Sequence, residues 1–266
     1  MFCLQFSLKF IFRPSSFVSR PSYFSLPLKN VNGFAESTMA SLSSLEIKSI
    51  TSNLGADQCG IAPAERFNGA PRGFHPGDIY DTCRSVIVFI KRMPPEAIRA
   101  ANPVVYTHTS HMLYDLLDRI GLSLCFTLEE QGIRAVPVPT DVPYLHWDAG
   151  KMHGMGLISM RHAAYNAGLG ILGRNTLLIN RQWGNMAYIG AILVDATLEP
   201  DPIVNDFGCP TDCSLCLDAC PVKALDGVTV NQKRCRKYST LEHPRGWDIY
   251  TCSKCRAVCP FRLGIL

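Results

Sequence analysis

Long hydrophobic runs are missing from this sequence. The longest uncharged stretches come early and are broken by Pro and Ser, and none reaches twenty apolar residues, which argues against a transmembrane helix. Charge of one sign is scarce too: 26 Lys and Arg stand against 22 Asp and Glu, a formal net charge of +4. Lys9, Arg13, Arg20 and Lys29 face only Glu36 in the first 38 residues, so the rest of the chain is close to neutral. A near-neutral body offers no broad phosphate-binding surface, and neither tRNA nor a membrane is an expected partner. No secretory signal is recognisable, and no repeat recurs outside a cysteine-rich C-terminal segment. What is present is 266 residues with 47% hydrophobic content, enough for one substantial core and a smaller satellite. The expected compartment is the cytoplasm.

Residues 1–38 are rich in Phe, Ser and Arg and nearly free of acids, the composition of an extension or an organelle presequence. They are expected to lie outside the fold, with Met39 a plainer start. Ser43 and Glu46 form a capping-box pattern before Ile47, Ile50 and Leu54, with Gly55 as a stop. Ser85 to Ile90 reads as a buried strand. His111 to Gln131 reads as a helix with Leu113, Leu117, Ile120, Leu124 and Leu128 on one face. Arg134–Val138, Thr176–Ile179 and Ala187–Val194 read as strands, Met160–Ala167 as a helix, and 140–156 as loop. Helices alternating with strands indicate an α/β layered domain over 39–200. Leu198 to Pro202 is a linker signal, and 201–266 forms a second domain.

Twelve cysteines are present. Cys3, Cys59, Cys83 and Cys125 are scattered and read as buried, inert thiols. The other eight crowd together. Cys209-x3-Cys213-x2-Cys216-x3-Cys220-Pro221 differs by one residue in its first spacing from the bacterial ferredoxin run, whose fourth Cys ligates the other cluster. Cys235 and Cys252-x2-Cys255-x3-Cys259-Pro260 follow with the same ending. Pro suits the first turn of a helix because it has no N–H to satisfy. Crossed ligation gives one 4Fe–4S cluster Cys209, Cys213, Cys216 and Cys259, and the other Cys220, Cys235, Cys252 and Cys255. Structural zinc is the rival, since Cys-x2-Cys pairs bind it as well, but zinc leaves the two Cys-x3-Cys-Pro endings without a reason.

Gly168, Gly170 and Gly173 spell G-x-G-x-x-G, with Asp195 further on. A dinucleotide site needs a strand before this motif and a helix after it. The order here is reversed, which excludes that reading. The stretch AAYNAGLGILGRNTLLI (163–179), with RCRKY (234–238) and the eight cysteines, resembles the epoxyqueuosine reductase family, itself related to reductive dehalogenases. The resemblance implies an α+β chain: a nitroreductase-like cobalamin-type domain followed by a bacterial ferredoxin-like domain with two clusters. It implies electrons passed from a donor such as ferredoxin or flavodoxin, through the clusters, to cobalamin or a small-molecule substrate. Gly168, Gly170, Gly173 and Asn175 would then stand at the cofactor, where absent Cβ atoms allow close approach.

Two departures qualify what the resemblance implies. Family members acting on tRNA continue into a helical-repeat domain, whereas this sequence stops seven residues after Cys259, which suggests a short form with another substrate. The family's proton-donating acid, counted back without a gap, falls on Gly154, and Asp148 is the nearest replacement. Arg161 and Arg174 are candidates for phosphate or propionate contacts. Whether cobalamin, flavin or neither binds stays open at this point, as does the alternative of a ferredoxin-type electron carrier that docks a partner.

Overall fold

The computed structural model describes residues 42–265; the expectation for 1–38 lies outside the described residues. The helices are α1 (Ser44–Asn53), α2 (Pro76–Ile79), α3 (Pro103–Glu129), α4 (Met160–Asn166), α5 (Leu215–Asp218), α6 (Gln232–Ser239) and α7 (Lys254–Ala257). The strands are β1 (Gln58–Pro63), β2 (Ser85–Arg92), β3 (Ala135–Val138), β4 (His146–Asp148), β5 (His153–Met155), β6 (Ile171–Leu172), β7 (Leu178–Ile179), β8 (Ala187–Val194), β9 (Thr240–Glu242) and β10 (Asp248–Tyr250).

The main sheet has the order β1-β2-β8-β3, and every neighbouring pair is antiparallel. Helices alternate with strands along the chain, yet every strand pair of this sheet is antiparallel, which makes the fold α+β, the class expected. The six apolar or small residues Ser85–Ile90 are all buried, because β2 sits mid-sheet with both faces covered. One face carries Ile61, Ile87, Phe89 and Ile192 against Leu113, Leu117, Ile120, Leu124 and Leu128 of α3 and Ile47 of α1. The other carries Val86, Val88, Ala191 and Leu193 against Ala163 and Ala164 of α4 and the Leu169 and Leu178 that follow. Neighbouring strand residues point to opposite faces, so one strand feeds both cores.

Several elements differ from expectation for identifiable reasons. The helix α3 starts at Pro103, eight residues before the expected His111, because the Asn102 side chain accepts from Val104 N at 2.9 Å and Pro is well suited to the first turn. The segment 198–202 is no free linker. Asp201 pairs with Lys48 at 2.6 Å and accepts from Ile61 N at 2.8 Å, tying the segment to α1 and β1. Residues 146–155, expected as loop, form the β4–β5 hairpin. The described residues 42–265 belong to one compact unit, so the cysteine-rich part is packed on the sheet rather than held by a tether.

Candidate functional site

The eight C-terminal cysteines gather into two groups that interleave along the chain. Cys216 has Cys209, Cys213 and Cys259 as its charged neighbours. Cys255 has Cys220, Cys235 and Cys252. The first four also line one small cavity together with Arg174, Asn175 and Ile179. The short helices α5 and α7 bring this about. Each presents one cysteine of a Cys-x2-Cys pair to its near group, then delivers the Cys before Pro221 or Pro260 to the other. Burial raises the thiol pKa of Cys216, Cys235, Cys255 (to about 11) and Cys259, with neighbouring cysteines adding to the rise. Four clustered thiols resist joint ionisation unless a cationic centre compensates, which is what iron in a cubane does. Among the described residues no three His, Cys, Asp or Glu side chains converge on an ion-sized point. The first group instead lines a small cavity, and the four-thiol donor set of each group suits a four-iron core. Of the scattered cysteines, Cys59, Cys83 and Cys125 are pushed up by burial to about 12, 11 and 12, as inert thiols would be.

The 163–179 stretch holds these groups in place. Arg174 Nη1 donates to Cys213 O at 2.7 Å, and Asn175 Nδ2 donates to Cys255 O at 3.3 Å, so adjacent residues grip one ligand loop of each group. The three glycines are packed on protein. A Cβ on Gly168 would overlap Pro202 O, on Gly170 Ile179 O, and on Gly173 the Ile179 and Asn175 side chains. In the fold, Gly170 and Gly173 let the β6–β7 hairpin fold back on itself, Gly168 lets the 198–202 segment approach, and Asn175 serves the cysteine loops. The helix-before, strand-after order around G-x-G-x-x-G holds, with α4 preceding and β6 and β7 following. Asp195 is engaged by Arg134 at 2.6 Å, far from any ribose role.

Two adjoining clefts open on the α4 side of the sheet. One, of about 520 Å³, is lined by Arg66, Phe74, His153, Arg161, His162 and Tyr165 among others. The second, of about 330 Å³, is lined by Tyr114, Thr140, Asp141, Tyr144, Arg161 and Arg236 among others. Gly154, Gly156, Ile158, Ser159 and Arg161 belong to both. Thr140 Oγ1, in the wall of the second, is buried with no hydrogen-bond partner, as a residue waiting on a bound group would be.

Asp148 does not face these clefts. It sits at the tip of the β4–β5 hairpin, accepts from Lys151 N at 3.0 Å, and that bond lowers its pKa. A proton donor is favoured by the opposite shift, and Asp148 lines neither cleft. Asp141, which the sequence reading passed over, lies in the second cleft with its pKa raised by burial, against the pull of Arg236 and His111. Tyr144 occupies the room beside Gly154: a Cβ there would lie 2.8 Å from its hydroxyl. Gly154 is also zipped to α6, donating to Gln232 Oε1 at 3.1 Å and accepting from Gln232 Nε2 at 3.0 Å. No signal short of the folded hairpin could have paired Tyr144 with Gly154.

The near-neutral net charge hides a polarised surface. α6 contributes Lys233, Arg234, Arg236 and Lys237, and no acid. Tyr238 of the same helix, Trp147 and Trp247 are exposed, with Arg236 over Trp147 at 5.4 Å, Lys254 over Tyr238 at 5.9 Å and Arg245 over Trp247 at 5.4 Å. Among the described residues no helix is long and apolar enough to cross a membrane.

No family model matches the chain. It is 28% identical over 251 residues to an epoxyqueuosine reductase of Staphylococcus aureus, covering 80% of this chain and 62% of that protein. It is 27% identical over 262 residues to one of Leadbetterella byssophila, covering 82% and 79%. The chain thus spans less than two thirds of the staphylococcal relative's length. The epoxyqueuosine reductase structure from Streptococcus thermophilus matches with a TM-score of 0.56 at 22% identity, over 84% of this chain and 67% of that one. An epoxyqueuosine reductase with an epoxyqueuosine-modified tRNA-Tyr stem loop matches at 0.53 and 18%, over 82% and 64%. A reductive dehalogenase described by B12-dependent dehalogenation matches at 0.59 and 19%, over 81% and 31%. These structures share the fold. The four cations of α6 weaken the net-charge ground on which tRNA was not expected as a partner.

Proposed function

We propose, on the premise that this chain is a relative of the epoxyqueuosine reductases, that it is an iron–sulfur oxidoreductase whose substrate sits in the paired clefts beside a corrinoid. The observation that carries this is the interleaving of the eight cysteines into two groups, one lining a cavity at Arg174 and Asn175. When bound, two 4Fe–4S clusters supply single electrons and a corrinoid supplies a strongly reducing metal centre. Cys209, Cys213, Cys216 and Cys259 would hold one cluster, and Cys220, Cys235, Cys252 and Cys255 the other.

The chain's own residues supply placement and protons. Arg174 and Asn175 fix the ligand loops by their carbonyls, so both groups stay registered on the sheet. Ile158, Leu177, Leu178 and Ile189 give the second cleft an apolar wall that limits water. The orphan Thr140 hydroxyl offers a hydrogen bond to the bound ligand. Asp141, whose pKa burial raises, donates a proton to the oxygen that leaves the substrate, and Tyr144 borders the same space.

The relatives' name supplies the substrate class: an oxirane-bearing nucleoside. Converting an oxirane to an alkene takes two electrons and two protons and releases water. One proton comes from Asp141 and the other from solvent at the cleft mouth. The exposed tryptophans and the cations of α6 suit an RNA loop, whose unstacked bases lie on aromatic faces while phosphates meet Arg and Lys. A simple electron carrier has no use for these clefts or for the unsatisfied Thr140 hydroxyl, which is why the enzyme reading is preferred.

The test is an anaerobic assay with cobalamin, reduced ferredoxin or flavodoxin, and tRNA carrying epoxyqueuosine. Conversion to queuosine is expected. Cluster and corrinoid absorption without conversion would refute the substrate, and cluster absorption with no corrinoid binding would favour the carrier.

A further inference from the structure

We propose that the larger cleft contains a phosphate-binding subsite centred on Arg161. The cleft walls carry Arg66, Arg161, His153 and His162, and not one Asp or Glu. Walls of one sign focus potential and concentrate the opposite charge. The two arginines differ in what they have left to give. Arg66 Nη1 is engaged with Asn166 O and Asp201 O, each at 2.6 Å. Arg161 Nη1 donates to Thr176 O at 2.8 Å, and among the described residues no carboxylate forms an ion pair with Arg161.

Burial without a counter-ion is costly for a guanidinium, and here it lowers the pKa of Arg161 with no opposing cause. A ligand that brings its own negative charge removes that cost. Arg161 lines both clefts, so the anion lies where they meet, with a substrate or cofactor body extending to either side. Ser159, whose hydroxyl is 2.7 Å from His162 Nδ1, and His162 border the same point. The planar guanidinium fork matches phosphate oxygens two at a time, which favours phosphate over a compact halide. The phosphate has two possible carriers: the phosphodiester of a corrinoid's nucleotide loop, or the phosphate of a nucleotide substrate. The first carrier rests on the corrinoid reading above; the second does not.

The experiment separates the carriers. Anaerobic, cluster-loaded protein is titrated with cobalamin and with cobinamide, which lacks the phosphodiester, followed by visible absorption. Uridine monophosphate and uridine are compared by equilibrium dialysis. Arg161→Gln is expected to weaken cobalamin or uridine monophosphate by about tenfold or more, leaving the phosphate-free counterpart within about twofold, while Arg161→Lys, which keeps the charge but not the fork, loses less than Arg161→Gln. Loss confined to cobalamin assigns the cofactor; loss confined to the nucleotide assigns the substrate. If Arg161→Gln does not fold with its clusters, competition of inorganic phosphate against the wild-type chain decides, and displacement of the phosphate-bearing ligand alone is expected. Equal effects on phosphate-bearing and phosphate-free ligands, or no effect on any, would overturn the subsite. Failure of both corrinoids to bind wild-type protein would count against the functional reading, with the nucleotide pair still deciding the subsite.

Discussion

Asp141 and Asp148 lie seven residues apart and have opposite environments. Asp148 is lowered by the Lys151 N–H at a hairpin tip, and Asp141 is raised by the protein around it. Of the two, the raised group is the better suited to hold a proton and release it to a leaving oxygen. The sign of the pH dependence follows. Asp141 is active when protonated, so turnover should fall as pH rises through its raised pKa. Asp141→Asn should lower kcat by about 10²–10⁴ and abolish that limb, while cluster absorption stays unchanged. Tyr144→Phe should act less strongly, since Tyr144 borders the site without a raised carboxyl. A full-activity Asp141→Asn variant with an intact pH limb would remove Asp141 from the mechanism. Sequence reading reached for Asp148 because it lies close in sequence to Gly154. The fold turns that side chain outward and fills the space at Gly154 with Tyr144 from across the hairpin.

At the scale of elements, α7 is one of the points where the cysteine-rich part grips the rest of the fold. Arg256 lies between Cys255 and Cys259 and is only 8% exposed. Its guanidinium donates to Asn185 O and rests 5.5 Å from the Tyr188 ring centroid, while Asn185 Nδ2 donates back to Arg256 O at 3.2 Å. Arg256→Ala would leave the Asn185 carbonyl unpaired and a void above Tyr188. The expected cost is about 2–4 kcal/mol, measured by denaturant unfolding, with earlier loss of cluster absorbance than of helix signal. Simultaneous, unshifted transitions would show that α7 docking contributes nothing. Most elements were legible because their signals are local: the capping box at Ser43, the stripe of α3, the apolar run of β2. The segment 198–202 was misread because its Pro residues look like a linker, while its anchoring comes from Lys48 and Ile61, some 140 residues or more away. The glycines of 163–179 were legible as close-approach positions, but which backbone approaches them is a tertiary fact.

At the scale of the whole molecule, the account depends on a chain that crosses over itself twice. Cys220 is close in sequence to Cys209, Cys213 and Cys216 yet has Cys235, Cys252 and Cys255 for neighbours. Cys259 follows Cys252 and Cys255 yet neighbours Cys209 and Cys213. The spacing alone allowed this pairing because the Cys-x3-Cys-Pro endings repeat, and the folded arrangement of α5 and α7 agrees with it. The cationic, aromatic face was not legible, since net charge averages over surfaces that the fold keeps apart. The central claim is tested most directly by iron and acid-labile sulfide analysis of anaerobically prepared wild-type and Cys259→Ala protein, with low-temperature electron paramagnetic resonance of the reduced samples. The account predicts about eight iron and eight sulfide in the wild type. It predicts that Cys259→Ala perturbs the cluster of Cys209, Cys213 and Cys216 and leaves the signal of the other intact, which Cys255→Ala should remove in turn. A wild-type content near four iron, zinc in place of iron, or a Cys259→Ala variant that loses the same signal as Cys255→Ala would contradict it.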